Sequence, residues 1–185
     1  MLKYFGITEL VGDINTGKTS VCIEESKKYY TLYITTTNFP IKRLSSPDDT
    51  IYIKLVQSLD EIPIILTQCK LISIELLIID NFSSLLDEAN HSKIIKIIYY
   101  LKKLINKNKM KVLIVNNCNN LFLKSKIYYI YKLGLEWEYH VNTRYYLSKD
   151  KKNINIEIKK CPIDLEFKYR LEIYISWITY TKLEG

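Results

Sequence analysis

Eight consecutive residues, Gly12-Asp13-Ile14-Asn15-Thr16-Gly17-Lys18-Thr19, carry the clearest chemistry in this chain. They match the spacing G-x-x-x-x-G-K-[ST], a loop that wraps a phosphate. Gly12 and Gly17 allow the backbone to fold tightly and aim its N–H groups inward. Lys18 is placed to reach the β- and γ-phosphates, and Thr19 to hold Mg²⁺. With Ser20 added, residues 12–20 form the candidate binding set for a nucleoside triphosphate. A second candidate is Asp80, which ends the apolar run Leu76-Leu77-Ile78-Ile79. An acid there orients Mg²⁺, directly or through the metal's water; the other reading is an acid that caps a strand end. Asn117, at the end of a later apolar run, is a polar residue able to sense the γ-phosphate.

These residues need elements to hold them at one edge. Residues 7–11 are apolar enough for a strand leading into the loop, and 19–30 suit a helix leading out, which is the context the motif requires. Residues 31–36 and 51–56 read as strands from their β-branched and aromatic content. Residues 59–69 read as a helix with Pro63 near its first turn. The run ending at Asp80 has the continuous apolarity of a buried parallel strand, as does 111–115. Over 92–106, Ile94, Ile97, Ile98, Leu101, Leu104 and Ile105 share one helical face, with Lys93, Lys96, Lys103 and Lys107 opposite. Alternating strands and helices predict an α/β fold: a mostly parallel sheet with helices on both faces, binding ligand at the carboxyl ends of its strands. The last third differs. Residues 141–147 and 153–158 predict a hairpin, and 167–177 a further strand, so an antiparallel extension is expected.

Composition narrows the class. The 185 residues suit one domain, 1–185. The four cysteines are scattered without a C-x-x-C pair, and the two histidines are too few for a histidine metal site. Both facts favour reduced thiols inside a cell over a structural zinc. Neither a signal peptide nor an apolar run of membrane-spanning length is present, so no membrane partner is expected. The net charge is +7, yet residues 93–132 hold ten lysines and no Asp or Glu, leaving the rest acidic. Such a block suits a polyanionic partner; it suits equally a solvated helix face in a chain rich in Lys, Asn, Ile and Tyr.

Taken in order, several segments resemble the RecA-family recombinases, specifically the RadA-type branch and its eukaryotic recombination-mediator paralogues. Residues 6–12 resemble the strand entering that family's phosphate loop. Tyr33-Ile34-Thr35-Thr36-Thr37, followed by Phe39-Pro40-Ile41-Lys42-Arg43-Leu44, resembles its second core strand and F-P-x-[KR]-R-L continuation. Residues 112–117 resemble its strand ending in Asn-Gln, and Cys161-Pro162 falls where the family has Ser-Pro near the nucleotide cap. The most specific match is Leu133-Gly134-Leu135-Glu136-Trp137 with Val141-Asn142-Thr143-Arg144, similar to the L-G-x-x-W…T-R segment of the paralogues.

The resemblance implies a RecA-like ATP-binding core with ATP and Mg²⁺ as cofactors. It implies a recombinase or paralogue partner subunit, contact with single-stranded DNA, a role in homologous recombination and double-strand break repair, and a nuclear location. It also implies a core without the recombinases' small N-terminal helical domain and polymerisation linker. Residues 119–132, where the family keeps its second DNA-facing loop, are basic and aromatic; the other reading is a helix packed through its tyrosines. Lys124, Lys126 and Arg144 are the DNA-contact candidates.

Two departures bear on activity. Active relatives carry a glutamate after the second strand, and the matching residue here is Thr37. Loss of a general base costs about 10²–10⁴ in rate, so ATP binding with weak or absent hydrolysis is expected. The sensor is Asn117, one methylene shorter than glutamine. Lys160 stands where many relatives have an acid near the cap, and is either a contact to a neighbour's nucleotide or a solvent lysine. Two rival functions stay open: an interaction module bridging recombination partners, and a small-molecule P-loop kinase. The kinase is disfavoured because Arg43, Arg144 and Arg170 are isolated.

Overall fold

Side-chain parity along the strands decides the layering. The computed structural model describes residues 2–44, 50–68, 73–86, 91–123, 126–131, 133–150, 153–163, 168–173 and 178–183. Strands β1 (Ile7–Gly12), β2 (Thr31–Thr35) and β4 (Leu76–Asp80) are buried at every position, because both faces of the sheet are covered. Successive side chains point to opposite faces. Leu32, Ile34, Leu77, Ile79, Val112 and Ile114 therefore join one core cluster. Tyr33, Leu76, Ile78, Leu113 and Val115 join the other. Helix α1 (Lys18–Ser26) packs Val21 and Cys22 into the second cluster. Helices α2 (Glu61–Gln68), α3 (His91–Asn108) and α4 (Gly134–His140) supply Ile62, Leu66, Ile97, Leu101 and Trp137 to the first.

The sheet runs β10-β9-β8-β7-β1-β5-β4-β2-β3. From β7 (Thr143–Asp150) through β1, β5 (Lys111–Leu123), β4 and β2 to the edge strand β3 (Ile51–Leu55), neighbours pair in parallel. Strands β8 (Asn153–Lys160), β9 (Lys168–Ile173) and β10 (Ile178–Leu183) extend it antiparallel. This is the expected α/β arrangement, a mostly parallel sheet between helical layers with an antiparallel C-terminal extension. The amphipathic face of α3 is also as expected, with Ile97, Ile98, Leu101 and Leu104 buried.

Two regions differ from the sequence expectation. The strand expected over 111–115 continues to Leu123 and folds back as β6 (Lys126–Tyr131), pairing antiparallel from Cys118 opposite Tyr131 to Leu123 opposite Lys126. Residues 119–123 and 126–131 are thus the two strands of a β-ribbon rather than a helix or an irregular loop. Their β-branched and aromatic content favours that pairing once two such runs face each other. Gly134–His140, which carries Trp137 of the L-G-x-x-W pattern, is helix α4. Of the strand expected over 167–177, Lys168–Ile173 is β9 and the rest lies outside the described residues; a further strand, β10, follows. No helix among the described residues is long and apolar enough to cross a membrane.

Candidate nucleotide-binding site

The loop between β1 and α1 is shaped by two glycines for different reasons. A Cβ on Gly12 would lie 2.4 Å from the carbonyl oxygen of Leu147 and 2.9 Å from Thr16 Oγ1, so strand β7 excludes any side chain there. Gly17 sits at φ 83°, in the left-handed region that L-residues avoid, and turns the chain directly into α1. The helix begins without a side-chain cap and without an acid in its first turn. Its first N–H groups therefore remain available to an anion, in the partial positive field of the helix end.

Lys18 is 7% exposed and folds over this loop. Its Nζ donates to the carbonyl oxygens of Gly12 (2.8 Å) and Asp13 (2.5 Å) and to Thr16 Oγ1 (3.4 Å). Burial lowers its pKa, against the opposing pull of Asp80 and Asp13. All three ammonium protons are thus held at the loop mouth, where phosphate oxygens would compete for them. Beside it, Thr19 Oγ1 donates to Asp80 Oδ2 at 2.8 Å, and the same oxygen accepts from the buried Tyr33 hydroxyl at 2.7 Å. Burial, with Asp80 adding to it, pushes the Tyr33 phenol well above its ordinary pKa, so it stays a donor. A hydroxyl and a carboxylate oxygen within hydrogen-bond distance are the hard donor set that suits Mg²⁺.

The carboxyl ends of three further strands close the site. Asp80 O accepts from Thr36 N at 2.9 Å. Thr36 Oγ1 accepts from Asn81 N at 3.2 Å and from Ser84 Oγ at 2.8 Å. Ser83 Oγ accepts from Asn117 N at 3.0 Å, which ties β5 to the segment after β4. A cleft of about 1010 Å³ lies over these groups, and Thr37, Asn117, Arg43 and Lys149 are among its lining. The structure therefore brings together Ile14 to Ser20, Asp80, Asn117 and Thr37, as the sequence expects, with Gly12 and Asp13 as the loop's carbonyl anchors for Lys18. Asp80 is the one carboxylate among the described lining residues. Thr35 Oγ1 donates to the carbonyl of Thr37 at 2.8 Å and accepts from its N–H at 3.3 Å, a local turn that presents a hydroxyl residue at this position.

The DNA-contact candidates fare differently. Arg144 is 2% exposed and not at the surface. Its Nε donates to Glu9 Oε2 at 2.5 Å, and its Nη1 bonds Glu138. Burial alone would lower its pKa, but Glu9 and Glu138 outweigh that and raise it. This corrects its reading as a nucleic-acid contact: the T-R of the motif serves the interior. Trp137, the W of the same motif, donates its Nε1 to Glu9 Oε1 at 2.7 Å, and Asn116 Nδ2 donates to that oxygen at 2.6 Å. Lys126 opens β6, and Lys124 lies outside the described residues. Lys160 is half-buried, and its Nζ donates to the Glu138 carbonyl at 2.5 Å.

Sequence reasoning gave no role to Arg43, whose Nη1 donates to Ser20 Oγ at 3.0 Å beside the cleft, nor to Tyr33, Lys149 or Glu9. A lone acid inside the apolar run Ile7–Val11 was the signal for Glu9, since a buried carboxylate demands a buried donor set. Lys149 gave no such signal; it reaches the cleft only because β7 pairs with β1.

No protein-family model matches the sequence, and no curated protein matches it either. Among solved structures, the chain is similar to the crystal structure of the RadB recombinase, with a TM-score of 0.76 and 12% sequence identity over 95% of this chain and 90% of that one. At that identity the likeness is one of fold: the chain has a RecA-like α/β fold, with the Gly12–Thr19 loop and Asp80 at the carboxyl edge of its sheet.

Proposed function

We propose that this chain is an ATP-binding recombinase paralogue that holds ATP with Mg²⁺ and hydrolyses it weakly. The observation that carries this reading is Lys18 clasped over the Gly12–Gly17 loop, with Thr19 and Asp80 joined beside it in a RecA-like sheet. Loop N–H groups and Lys18 would bind the phosphates; Thr19 and Asp80 would hold Mg²⁺, which supplies charge neutralisation of the phosphate oxygens. Thr37 offers no carboxylate to position an attacking water, which favours retention of ATP over turnover. The role in the cell is to assist a recombinase, together with a partner subunit of the same fold, in homologous recombination and double-strand break repair in the nucleus. Single-stranded DNA would be met by the basic, aromatic segment 119–132, through Lys124 and Lys126.

The test is equilibrium binding of ATP with Mg²⁺ to the purified chain, followed by turnover measurement. Tight binding with slow turnover is the expected result. A chain that binds no nucleotide defeats the proposal, and rapid turnover defeats the reading of Thr37. Thr37 also favours a second reading, in which ATP is purely structural and the chain bridges partners. Lys18→Ala separates the two, since only in the second do partner assembly and repair survive it.

A further inference from the structure

Helix α3 carries five lysines and no carboxylate over eighteen residues. Its apolar face is buried against the sheet, so the lysines lie on the outer side of that layer, on the face opposite α1. Lys93 is paired with Asp60 at 2.6 Å, and Lys102 contacts His140 Nδ1 at 3.0 Å. Lys96, Lys103 and Lys107 pair with no acid among the described residues. They fall on one stripe of the helix, and from Lys96 to Lys107 it runs roughly 16 Å at the α-helical rise. Three lysines elsewhere pair with acids, Lys27 with Glu24, Lys28 with Glu25 and Lys159 with Glu157.

A groove of about 280 Å³ opens beside this stripe, between α2 and α3. Its floor is Leu66 and Leu104, both nearly fully buried. Tyr100 forms an aromatic wall, and Lys103, Lys107 and Asn108 complete the lining. The volume is at or just below the small end of ligand pockets, which start at about 300 Å³, and suits a single flat ring rather than a whole small molecule. An apolar floor with one aromatic wall accepts the face of a nucleobase, and an amide can meet its polar edge. Two ammonium groups at the same rim suit phosphates one unit apart along a strand. The exposed ring of Tyr99, 62% exposed and 5.9 Å from Tyr100, lengthens the aromatic surface along the helix. An acidic peptide would satisfy the lysines but leave the floor and wall without a planar occupant.

We infer that the α2–α3 groove and the adjoining lysine stripe of α3 form a binding site for single-stranded nucleic acid, with one base seated on Leu66, Leu104 and Tyr100 and the strand's phosphates on Lys96, Lys103 and Lys107. The groove shares no residue with the nucleotide cleft. It is also separate in sequence from the segment 119–132 assigned above, so either surface can fail without the other.

The experiment is fluorescence anisotropy of the full chain with a labelled oligothymidylate across a salt series, with ATP binding measured on each variant. Lys103→Glu/Lys107→Glu should weaken strand binding at least about ten-fold and reduce the magnitude of the salt slope by about 1.4, the loss of two phosphate contacts on a single strand. Lys54→Glu, an exposed change on β3, provides the control for altered net charge, and ATP binding should be unchanged throughout. An abasic strand of equal length should bind more weakly than the base-bearing one. The proposal is overturned by no strand binding in the unaltered chain, by a double variant that behaves like Lys54→Glu, by an abasic strand that binds equally, or by polyglutamate competing as well as the strand. If binding follows only Lys124→Glu/Lys126→Glu, the assignment of 119–132 stands and this one falls.

Discussion

Strand β1 has a polar cluster at each end of its usefulness, and the two are built to opposite ends. At its carboxyl end, Lys18 bonds the loop carbonyls and Thr19 bonds Asp80, side by side at the rim of an open cleft. Partway along it, Glu9 meets Asn116, Trp137 and Arg144 in the interior. Each cluster pairs strand carboxylate with cation or hydroxyl. In the first, the donors are backed by loop carbonyls that a phosphate can replace. In the second, Glu9 and Arg144 are 1% and 2% exposed, and their partners are fixed side chains from β5, β7 and α4. The lesson is that charge alone does not mark a binding site here. A charged residue serves a ligand where its partners can be exchanged, and serves the fold where they cannot.

The largest expected effect tests the closed cluster. Arg144→Ala leaves Glu9 buried without its cation, and loss of one partner of a buried pair costs about 3–5 kcal/mol. Urea unfolding should show that loss, and a change within 1 kcal/mol would show that the pair is not the anchor described. Next comes the open cluster. Lys18→Ala should cost about 1.5–3 kcal/mol of ATP affinity, the range for hydrogen bonds to charged groups, measured by titration calorimetry. Its unfolding free energy should change far less than that of Arg144→Ala; equal losses in the two variants would erase the distinction.

Smaller effects sharpen the boundary between the clusters. Tyr33→Phe removes one hydrogen bond to Asp80 and should cost about 1 kcal/mol of stability, with Mg²⁺-dependent ATP binding retained. Cys118, beside Lys18 and Val11, is buried and its thiol is pushed up to about 11 by that burial. Its folded pKa lies above the ordinary thiol value, so its contribution to stability is complete at neutral pH and is lost as pH rises from the ordinary value towards about 11. Alkylation at pH 8 should therefore label the half-buried Cys161 well before Cys118, followed by mass spectrometry. Comparable rates would mean that the carboxyl end of β5 opens readily.

Local signals made much of the open cluster legible. The glycine and lysine spacing of 12–19, the apolar run ending at Asp80 and the period of α3 each depend on neighbours in sequence, and the strand, loop and helices they predict are present. The closed cluster was hidden because its bonds join residues 128 and 135 apart. Arg144 therefore looked like a free arginine in a basic protein, when the strand order β7-β1-β5 had already placed it beside Glu9. Helix α4 escaped for a related reason: it is seven residues long and starts at a glycine, so its stability comes from Trp137 stacking on Phe82 rather than from propensity. The paired strands 118–123 and 126–131 carry a legible alternation only when set in register with each other.

Strand β5 leaves the sheet at one residue. Its pairing with β1 ends at Asn117, and its pairing with β6 begins at Cys118. From there to Leu123 is roughly 17 Å at the rise of an extended chain. The ribbon is thus a lever arm with its fulcrum at a residue that lines the nucleotide cleft and is tied through Ser83 to the segment after Asp80. A tilt of about 10° at the fulcrum, far too small to break the parallel sheet, moves the end of such an arm by about 3 Å.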